Sequence, residues 1–153
     1  MAPLLAIAAV TTQELRKIMT ETQRSLLQAA RAAALKAYAP YSKFRVGAAV
    51  LAGGQVHVGA NVENASYGLS LCAERVALAQ AVVAGARDIE GLAVCCLDAP
   101  PAADPGLGMP CGACRQWISE LAPEAWIVID GAERVFEAAE LLPLAFLLSA
   151  RET

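Results

Sequence analysis

Three cysteines from two motifs that are far apart in the sequence place the strongest constraint on how this chain can fold. Cys111 and Cys114 form a Cys-x-x-Cys pair that begins a predicted helix directly after Pro110, and Cys72 begins another predicted helix 39 residues earlier. Two intervening residues bring both sulfurs of such a pair to the same side of a turn, where they can bind one metal ion. The start of a helix favours thiolate over thiol at Cys72, because backbone N–H groups and the helix dipole stabilise negative charge there. A fold that uses all three sulfurs on one metal must bring these two helix starts together.

A redox function of the Cys-x-x-Cys pair is the competing interpretation. A thioredoxin-type pair, however, follows the first strand of its fold and works without a third thiol. Three cysteines without an evident fourth ligand are typical of catalytic zinc, which keeps one coordination position open for water, whereas structural zinc fills all four positions. The pattern therefore predicts a zinc ion that takes part in chemistry.

The other cysteines and the sole histidine are weaker candidates for a fourth ligand. Cys95 and Cys96 lie inside the apolar run LAVCCL, and because alternate strand residues point to opposite faces, at most one of them could reach the metal. We expect both in the core, since free cysteine is commonly buried as a small hydrophobe. His57 follows the hairpin glycines among valines, and we expect it on the surface of a strand.

Glu74 and Arg75 directly follow the first cysteine. Glu74 lies on the first turn of the helix that Cys72 begins, close enough to face the open position without binding the metal. A carboxylate there can take a proton from zinc-activated water and deliver it to a substrate, although an acid at this position can also simply stabilise the helix dipole. Arg75 can offset the excess charge of three thiolates on Zn²⁺, or it can be an ordinary surface arginine. The sulfur cluster favours the catalytic role of Glu74.

Hydrophobic periodicity predicts an α/β fold. Thr20 and Gln23 form a capping box for a first helix that extends as far as Pro40, and the apolar runs around Gly53 and Gly54 predict a β-hairpin. The later predicted elements are a helix at 72–85, a strand at 89–97, a loop at 98–110, a helix at 111–121, strands at 125–130 and 134–138, and a helical turn at 139–146. Such alternation predicts a three-layer α-β-α sandwich with a mixed five-stranded sheet.

Size and charge narrow the class of protein. The chain has 153 residues, the size of one compact domain, so we expect an N-terminal extension of unknown role at 1–20 and a single domain at 21–153. A hydrophobic share of 57% suits buried strands and hints at buried subunit interfaces. With 12 basic and 15 acidic residues and no run of Lys or Arg, a nucleic-acid partner is disfavoured.

The N-terminus and the odd cysteine count bear on the cellular compartment. The apolar run at 2–10 is too short to span a bilayer, lacks a basic segment before it and runs into polar residues, so we expect neither an anchor nor a signal peptide. Five cysteines without an export signal indicate thiols that are free or bound to metal in a reducing cytoplasm.

Two motifs together resemble the zinc nucleoside and nucleobase deaminases. In that family a His or Cys precedes Ala-Glu and a Pro-Cys-x-x-Cys follows, as CAE at Cys72 and PCGAC at Pro110 do here. The chain further resembles the small homotetrameric cytidine deaminases in the stretches YAPYSKFRVGAA, NVENASYGLSLCAER, PCGACRQ and ELLPLAF. The resemblance extends from about Leu26 to Phe146, and it implies a cytidine-deaminase-like version of the three-layer sandwich.

The resemblance implies a metal-binding or supporting role for several matching residues. One zinc ion per subunit would be bound by Cys72, Cys111 and Cys114. Glu74 would move protons during the reaction, while Arg75 and Gln116 would support the thiolates and the pocket.

The resemblance also implies a set of substrate-binding residues. Asn61 and Glu63 would hold the ribose hydroxyls, and Phe44 would pack against the substrate. Phe146 would reach the base in a neighbouring subunit, and Tyr67 would likewise approach a neighbour's site. Active sites shared between the subunits of a homotetramer would follow.

The implied reaction is the hydrolytic deamination of cytidine and deoxycytidine to uridine and deoxyuridine plus ammonia in pyrimidine salvage, without an organic cofactor. The alternatives are a deaminase of another aminopyrimidine nucleoside, such as blasticidin S, and a non-catalytic zinc module in which Cys95 or Cys96 completes a four-sulfur site. Editing of nucleic acid is disfavoured by the acidic charge. The chain departs from the family in its N-terminal extension, in a longer loop from Asp98 to Met109, and in Met109 itself, where Ser or Thr is usual.

Overall fold

A computed structural model describes residues 19–100, 105–132 and 134–148 of the chain. Within these ranges one helix precedes a hairpin, and helices and strands then follow one another as the periodicity predicts. The elements are α1 (Glu21–Ala34), β1 (Val46–Ala52), β2 (Gln55–Ala60), α2 (Ala73–Val83), β3 (Ile89–Cys96), α3 (Gly112–Leu121), β4 (Trp126–Ile129), β5 (Phe136–Glu137) and α4 (Ala138–Leu141). Most of the 1–20 extension and part of the long loop lie outside the described residues.

The strands form one mixed five-stranded sheet in the order β2-β1-β3-β4-β5. β1 pairs antiparallel with both β2 and β3, β3 pairs parallel with β4, and β4 pairs antiparallel with β5. The β1–β2 turn consists of Gly53 and Gly54, whose φ angles of 56° and 75° are left-handed values that glycine adopts without strain. The predicted hairpin and mixed sheet are confirmed.

Helices cover both faces of the sheet, so the predicted three-layer sandwich is confirmed. Alternate residues of the central strands separate into two apolar clusters, as expected for a pleated sheet that is buried on both sides. Ala49, Ala93 and Val128 pack towards α1 on one face. On the other face Val50, Leu92 and Ile127 pack in a cluster that includes buried residues of α2 and α3. Both cysteine-bearing helices therefore share one side of the sheet.

Two glycines let helices approach the sheet closely. A Cβ atom at Gly47 would lie 2.0 Å from the carbonyl oxygen of Ala30 in α1. A Cβ atom at Gly59 would lie 2.5 Å from the carbonyl oxygen of Ala73 in α2. Real Cβ atoms do not approach backbone so closely, and each position therefore depends on glycine.

The first helix has the predicted start but an earlier end. Thr20 and Gln23 form the capping box, in which the Gln23 backbone N–H donates to Thr20 Oγ1 at 3.2 Å and the Gln23 side chain accepts from the Thr20 N–H at 2.9 Å. The helix ends at Ala34 rather than continuing to Pro40. It ends there because the chain turns so that the Tyr38 N–H donates to the Asn61 carbonyl oxygen at 2.9 Å. That contact carries the following segment towards the end of β2.

Three further expectations differ from the structure. Residues 105–108 form a short 3₁₀ helix inside the predicted loop, and β5 has only the two residues Phe136 and Glu137. His57 lies on β2 as predicted, but only 9% of it is exposed, so the expectation of a surface histidine is wrong. It pairs with Val50 and lines a cavity against the segment that follows α2, which covers it. In the part of the chain that the structure describes, no helix has the length and apolar character needed to cross a membrane.

Candidate active site and metal centre

The three cysteines of the two motifs meet at the starts of α2 and α3. Cys72 is the N-cap residue of α2 and Cys111 is the N-cap residue of α3, and neither side chain caps its own helix. Cys114 follows on the first turn of α3 and is fully buried. The ligand atoms of all three residues lie within 4.8 Å of one another. The two distant motifs are thus brought to one point by helices packed side by side on one face of the sheet.

The spacing of the sulfurs fits a tetrahedral zinc ion. Zn–S bonds of about 2.3 Å place the sulfurs of a tetrahedral site about 3.8 Å apart. Cys72 Sγ lies 3.7 Å from Cys111 Sγ, and Cys111 Sγ lies 3.6 Å from Cys114 Sγ. No other His, Cys, Asp or Glu among the described residues joins this group. Three ligands with one position left open are the arrangement of a catalytic zinc site rather than a structural one.

Cys95 and Cys96, the alternative ligands, both lie elsewhere. Cys95 is buried on the α1 face of the sheet, as expected, where its thiol donates to Asp130 Oδ2 at 3.2 Å. Cys96 points to the opposite face and lines a cavity, so its expected place in the core is wrong. Burial raises the pKa of Cys95 to about 12 and that of Cys96 to about 11. Both stay thiols at neutral pH.

The three clustered sulfurs differ in their affinity for protons. Hydrogen bonding from Cys114 lowers the pKa of Cys72 to about 5, against the opposing effect of burial and with help from Arg75. The reciprocal hydrogen bond to the Cys72 thiolate, together with burial, raises the pKa of Cys114. Negative charge therefore gathers first at Cys72, at the positive end of the α2 dipole.

Glu74 is a buried carboxyl group beside this cluster. Only 5% of Glu74 is exposed, and it lies on the first turn of α2, on the wall of the cavity. Burial raises its pKa, and the negative charge of Cys72 acts in the same direction. A carboxyl group with a raised pKa binds and releases protons nearer to neutral pH, as a general acid and base must.

Arg75 contacts Cys72 but is not among the residues that line the cavity. Its guanidinium donates to Cys72 Sγ at 3.8 Å and to the Ser70 carbonyl oxygen at 3.1 Å. The side chain therefore places positive charge beside one of the three clustered sulfurs, and its role in supporting them stays a prediction.

A cavity of about 330 Å³ opens above the cysteines and Glu74. Of the residues singled out from the sequence, those that line it are Phe44, Asn61, Glu63, Tyr67, Cys72, Glu74 and Cys111. The same cavity is lined by residues that carried no sequence signal for a site, among them Ser42, Leu71 and Leu107, and by Cys96, which the sequence offered only as an alternative metal ligand. Met109, noted only as a departure from the family, also lines it. These residues come from separate elements, so only the fold reveals their common position.

Asn61 and Glu63 hold the polar side of the cavity through contacts with the 41–46 segment. Asn61 Oδ1 accepts from the Val46 N–H at 2.8 Å, and Asn61 Nδ2 donates to the Phe44 carbonyl oxygen at 2.9 Å. Glu63 Oε2 accepts from the backbone N–H groups of Tyr41 and Ser42 at 3.0 and 3.2 Å. Both side chains thereby support the segment that carries Phe44.

Two predicted site residues lie away from this cavity within the chain. Phe146 is 71% exposed, and its carbonyl oxygen accepts from Gln116 Nε2 at 2.8 Å. Gln116 itself lies on α3, where it lines a different surface cavity with Trp117. Tyr67, although expected at a neighbour's site, lines the cavity of its own subunit. The binding functions of Phe146 and Tyr67 stay predictions.

The site combines three thiols that can bind one metal ion with a buried carboxyl group, Glu74, that is not one of the metal ligands. This combination is typical of the zinc deaminases. Residues 20–130 match the model of the family described as the cytidine and deoxycytidylate deaminase zinc-binding region. All three cysteines and Glu74 fall within the matched range.

Known proteins of this family are similar over most of the chain. A cytidine deaminase of Halalkalibacterium halodurans is 47% identical over 115 residues, which are 72% of this chain and 83% of the relative. A cytidine deaminase of Sporosarcina psychrophila is 40% identical over 138 residues, 87% of this chain and 91% of the relative.

Solved structures agree with the match. The crystal structure of cytidine deaminase from Burkholderia pseudomallei has a TM-score of 0.72 at 47% identity and covers 84% of this chain and 100% of that protein. The cytidine deaminase from Mycobacterium tuberculosis has a TM-score of 0.70 at 38% identity, covering 85% and 100%. The chain therefore belongs to the cytidine and deoxycytidylate deaminase family, whose enzymes are zinc-dependent hydrolases that act on C–N bonds.

Proposed function

We propose that this chain hydrolyses the exocyclic amino group of cytidine and deoxycytidine, giving uridine and deoxyuridine plus ammonia. The observation that carries the proposal is the buried Glu74 beside three zinc-competent sulfurs, on the wall of a cavity whose other side presents Asn61 and Glu63. The named relatives are cytidine deaminases, which supports this choice of substrate.

The three cysteines hold the zinc ion, which when bound lowers the pKa of a water molecule so that it can attack at neutral pH. Glu74 takes a proton from the attacking water and transfers it to the ring nitrogen N3 of the base. Glu74 then takes the second proton, from the hydroxyl that has been added to C4, and gives it to the exocyclic amino group. The C4–N bond breaks and the amino group leaves as ammonia. The raised pKa of Glu74 suits this double role, because each proton is accepted and later released by the same carboxyl group.

The sugar binds at the polar side of the cavity. Asn61 and Glu63 are two residues apart in an extended segment, so their side chains project in the same direction towards the ribose hydroxyls. Phe44 packs against the nucleoside on the same side of the cavity. In this proposal the pocket binds the sugar through hydrogen bonds and binds the base by enclosing it in the cavity.

The charge of the cavity favours a nucleoside over a nucleotide. Its lining carries the carboxyl groups of Glu63 and Glu74, and among the described residues no Lys, Arg or His lines it. A 5′-phosphate would enter this acidic cavity without a cation to pair with. Within a family that includes deoxycytidylate deaminases, this supports the free nucleoside as substrate.

We further propose a homotetramer in which Phe146 and Tyr67 approach the site of a neighbouring subunit. The exposed, apolar Leu144, Phe146, Leu147 and Leu148 give this segment a surface that a second copy of the chain can bury. Residues 21–153 form the catalytic domain in this proposal. The cytoplasm is its site of action in this proposal, since all five cysteines lie among the described residues without a disulfide, a state that a reducing compartment preserves.

Deamination by the wild type and by Glu74→Gln tests the proposed reaction. We expect zinc-loaded wild type to convert cytidine, measured as loss of cytidine ultraviolet absorbance and release of ammonia. Glu74→Gln should retain zinc and fold but lower turnover by at least about 10²-fold, because the amide cannot exchange the proton.

Three outcomes would contradict the proposal in different ways. Near-normal turnover by Glu74→Gln would remove Glu74 from the mechanism. A wild type without activity on cytidine but with ammonia release from blasticidin S would replace the substrate. Inactivity on both compounds would favour a zinc site without catalytic function.

A further inference from the structure

The hydroxyl of Ser42 connects two residues of the proposed sugar site. Ser42 Oγ donates a short hydrogen bond to Glu63 Oε1 and accepts from the Phe44 N–H at 3.0 Å. Ser42 also lines the cavity. Its single proton is used towards Glu63, so Ser42 has no proton left to donate to a ligand while Glu63 is ionised.

The carboxylate of Glu63 has four acceptor positions, of which three are filled from the 41–42 turn. The backbone N–H groups of Tyr41 and Ser42 occupy both lone pairs of Oε2. The Ser42 hydroxyl occupies one lone pair of Oε1. One lone pair of Oε1 is left for a hydroxyl of the substrate.

The hydrogen bond from the Ser42 hydroxyl determines the direction in which the remaining lone pair of Glu63 Oε1 points. Two donors on Oε2 fix the position of that oxygen but still allow the carboxylate to rotate about it. The bond from Ser42 to the second oxygen removes that rotation. The hydrogen bonds from Ser42 and from the two backbone groups also lower the pKa of Glu63, which keeps the carboxylate ionised as an acceptor at neutral pH.

We propose that Ser42 is a positioning residue that orients the Glu63 carboxylate towards a ribose hydroxyl. This inference depends on the proposed function, since it assigns Glu63 to the sugar. Ser42 does not itself touch the substrate in this proposal. Its contribution is the preorganisation of a hydrogen bond that the substrate completes.

A comparison of two substrates tests the proposal. Ser42→Ala should lower kcat/KM for cytidine by about 5- to 10-fold, mainly through KM, because a hydrogen bond to a charged group is lost while the reacting groups are unchanged. With 2′,3′-dideoxycytidine, which lacks the hydroxyls that Glu63 would bind, the same substitution should change kcat/KM by less than about 2-fold. A Ser42→Thr variant, which keeps the hydroxyl, should recover most of the activity on cytidine.

Two further variants separate positioning from a general effect on the fold. In a Glu63→Ala background, Ser42→Ala should cause little additional loss, because the carboxylate that Ser42 orients is already absent. Ser25→Ala, on the exposed face of α1, is the matched control and should leave both substrates unaffected. Thermal unfolding of each variant shows whether it folds like the wild type.

The outcomes distinguish this proposal from the proposed function. Equal losses by Ser42→Ala on both substrates, or additive losses with Glu63→Ala, would overturn the positioning role while cytidine deamination stands. Wild type that uses the two substrates equally well would overturn the sugar site and this proposal together. Wild type inactive on cytidine would overturn the proposed function itself.

Discussion

Single residues of the same type have different chemistry in this molecule because the sheet separates them. Cys95 and Cys96 are adjacent in sequence but point to opposite faces, one into the α1 side of the core and the other into the substrate cavity. Cys72 lies beside two other thiols and has a pKa of about 5, whereas burial gives Cys95 a pKa of about 12. Position in the fold, rather than residue type, decides which sulfur is available to a metal.

Substitution of a proposed ligand should remove zinc and stability together. Loss of a residue that merely supports a ligand costs about 10- to 100-fold in metal affinity, so Cys111→Ala should cost at least about 100-fold. The variant should also melt at a lower temperature, because metal binding is linked to folding. Zinc content by atomic absorption and thermal unfolding with and without chelator would measure both effects.

Cys95→Ala is the matched control for this substitution. Its sulfur lies on the other face of the sheet, so the variant should keep full zinc content and the same response to chelator as the wild type. Full zinc retention by Cys111→Ala, or loss of zinc by Cys95→Ala, would contradict the assignment of ligands.

The sequence predicts the residues that carry chemistry better than those that support them. The three cysteines that can bind zinc stand out in the sequence because few structures other than a metal site explain their spacing, and Glu74 stands out because it lies beside one of them. Ser42 has no such signal, since a serine in a turn is common and its contact with Glu63 spans 21 residues of chain. The predictions for His57 and Cys96 were wrong because strand periodicity indicates which residues share one face of the sheet but not what covers that face.

At the level of elements, the close packing of α2 on β2 sets the position of the metal centre. Gly59 lets the backbone of α2 approach β2 at Ala73, the residue directly after Cys72, and at Ala77. The start of α2 is therefore held by direct backbone contact with the sheet. A displacement at Gly59 would be transmitted to the metal-binding end of the helix.

Replacement of Gly59 by alanine should damage both stability and the site. The added methyl group would lie 2.5 Å from backbone atoms of Ala73 and Ala77, so the helix must move away. Overpacking of this kind costs about 1–3 kcal/mol in the free energy of unfolding, and zinc affinity should fall as well. Urea denaturation and zinc titration would measure the two effects.

Gly68→Ala is a suitable control for Gly59→Ala. Gly68 has no atom within 4 Å of an added Cβ, so its substitution should change stability by less than about 0.5 kcal/mol. If Gly59→Ala proved equally mild, the close approach would have no energetic importance.

The sequence predicted which segments form helices and which form strands, but it did not predict where several of them end. The capping box and the Gly53–Gly54 turn are local signals, and both are confirmed. The end of α1 depends on the distant contact of Tyr38 with Asn61, which no local pattern encodes. The two-residue β5 is likewise defined by its pairing with β4 rather than by its own sequence.

At the level of the whole molecule, the C-terminal segment presents apolar side chains that the single chain does not bury. Leu144, Phe146, Leu147 and Leu148 are each at least 71% exposed. An apolar segment of this kind is typical of a surface covered by another subunit. It is also the segment that carries Phe146, so assembly and substrate binding would depend on the same residues.

Charged residues in this segment should therefore separate the subunits. We expect the wild type to have about four times the 15.9 kDa mass of the chain in light scattering after size exclusion. A Leu147→Asp, Leu148→Asp double variant should elute as a smaller species with reduced activity, because burial of two carboxylates at an interface is costly.

Val83→Asp supplies the control for the double variant. Val83 is 87% exposed at the end of α2, away from the C-terminal segment, so an aspartate there should leave the mass unchanged. A double variant that stays as large as the wild type, or a wild type that is monomeric, would contradict the proposed assembly.

A metal ion bound by both cysteine motifs would join two distant points of the chain. The residues between Cys72 and Cys111 would then form a closed loop. Cys72 and Cys111 are 39 residues apart, and the chain between them includes α2, β3 and residues 107–109, which line the cavity. The entropy of closing such a loop rises only with the logarithm of its length, by about 0.6 kcal/mol for each doubling. Insertions at 97–109 would thus lengthen the loop with little loss of stability while both anchor points stay fixed. The rim of the pocket can vary in length and substrate range, whereas the metal centre stays in place.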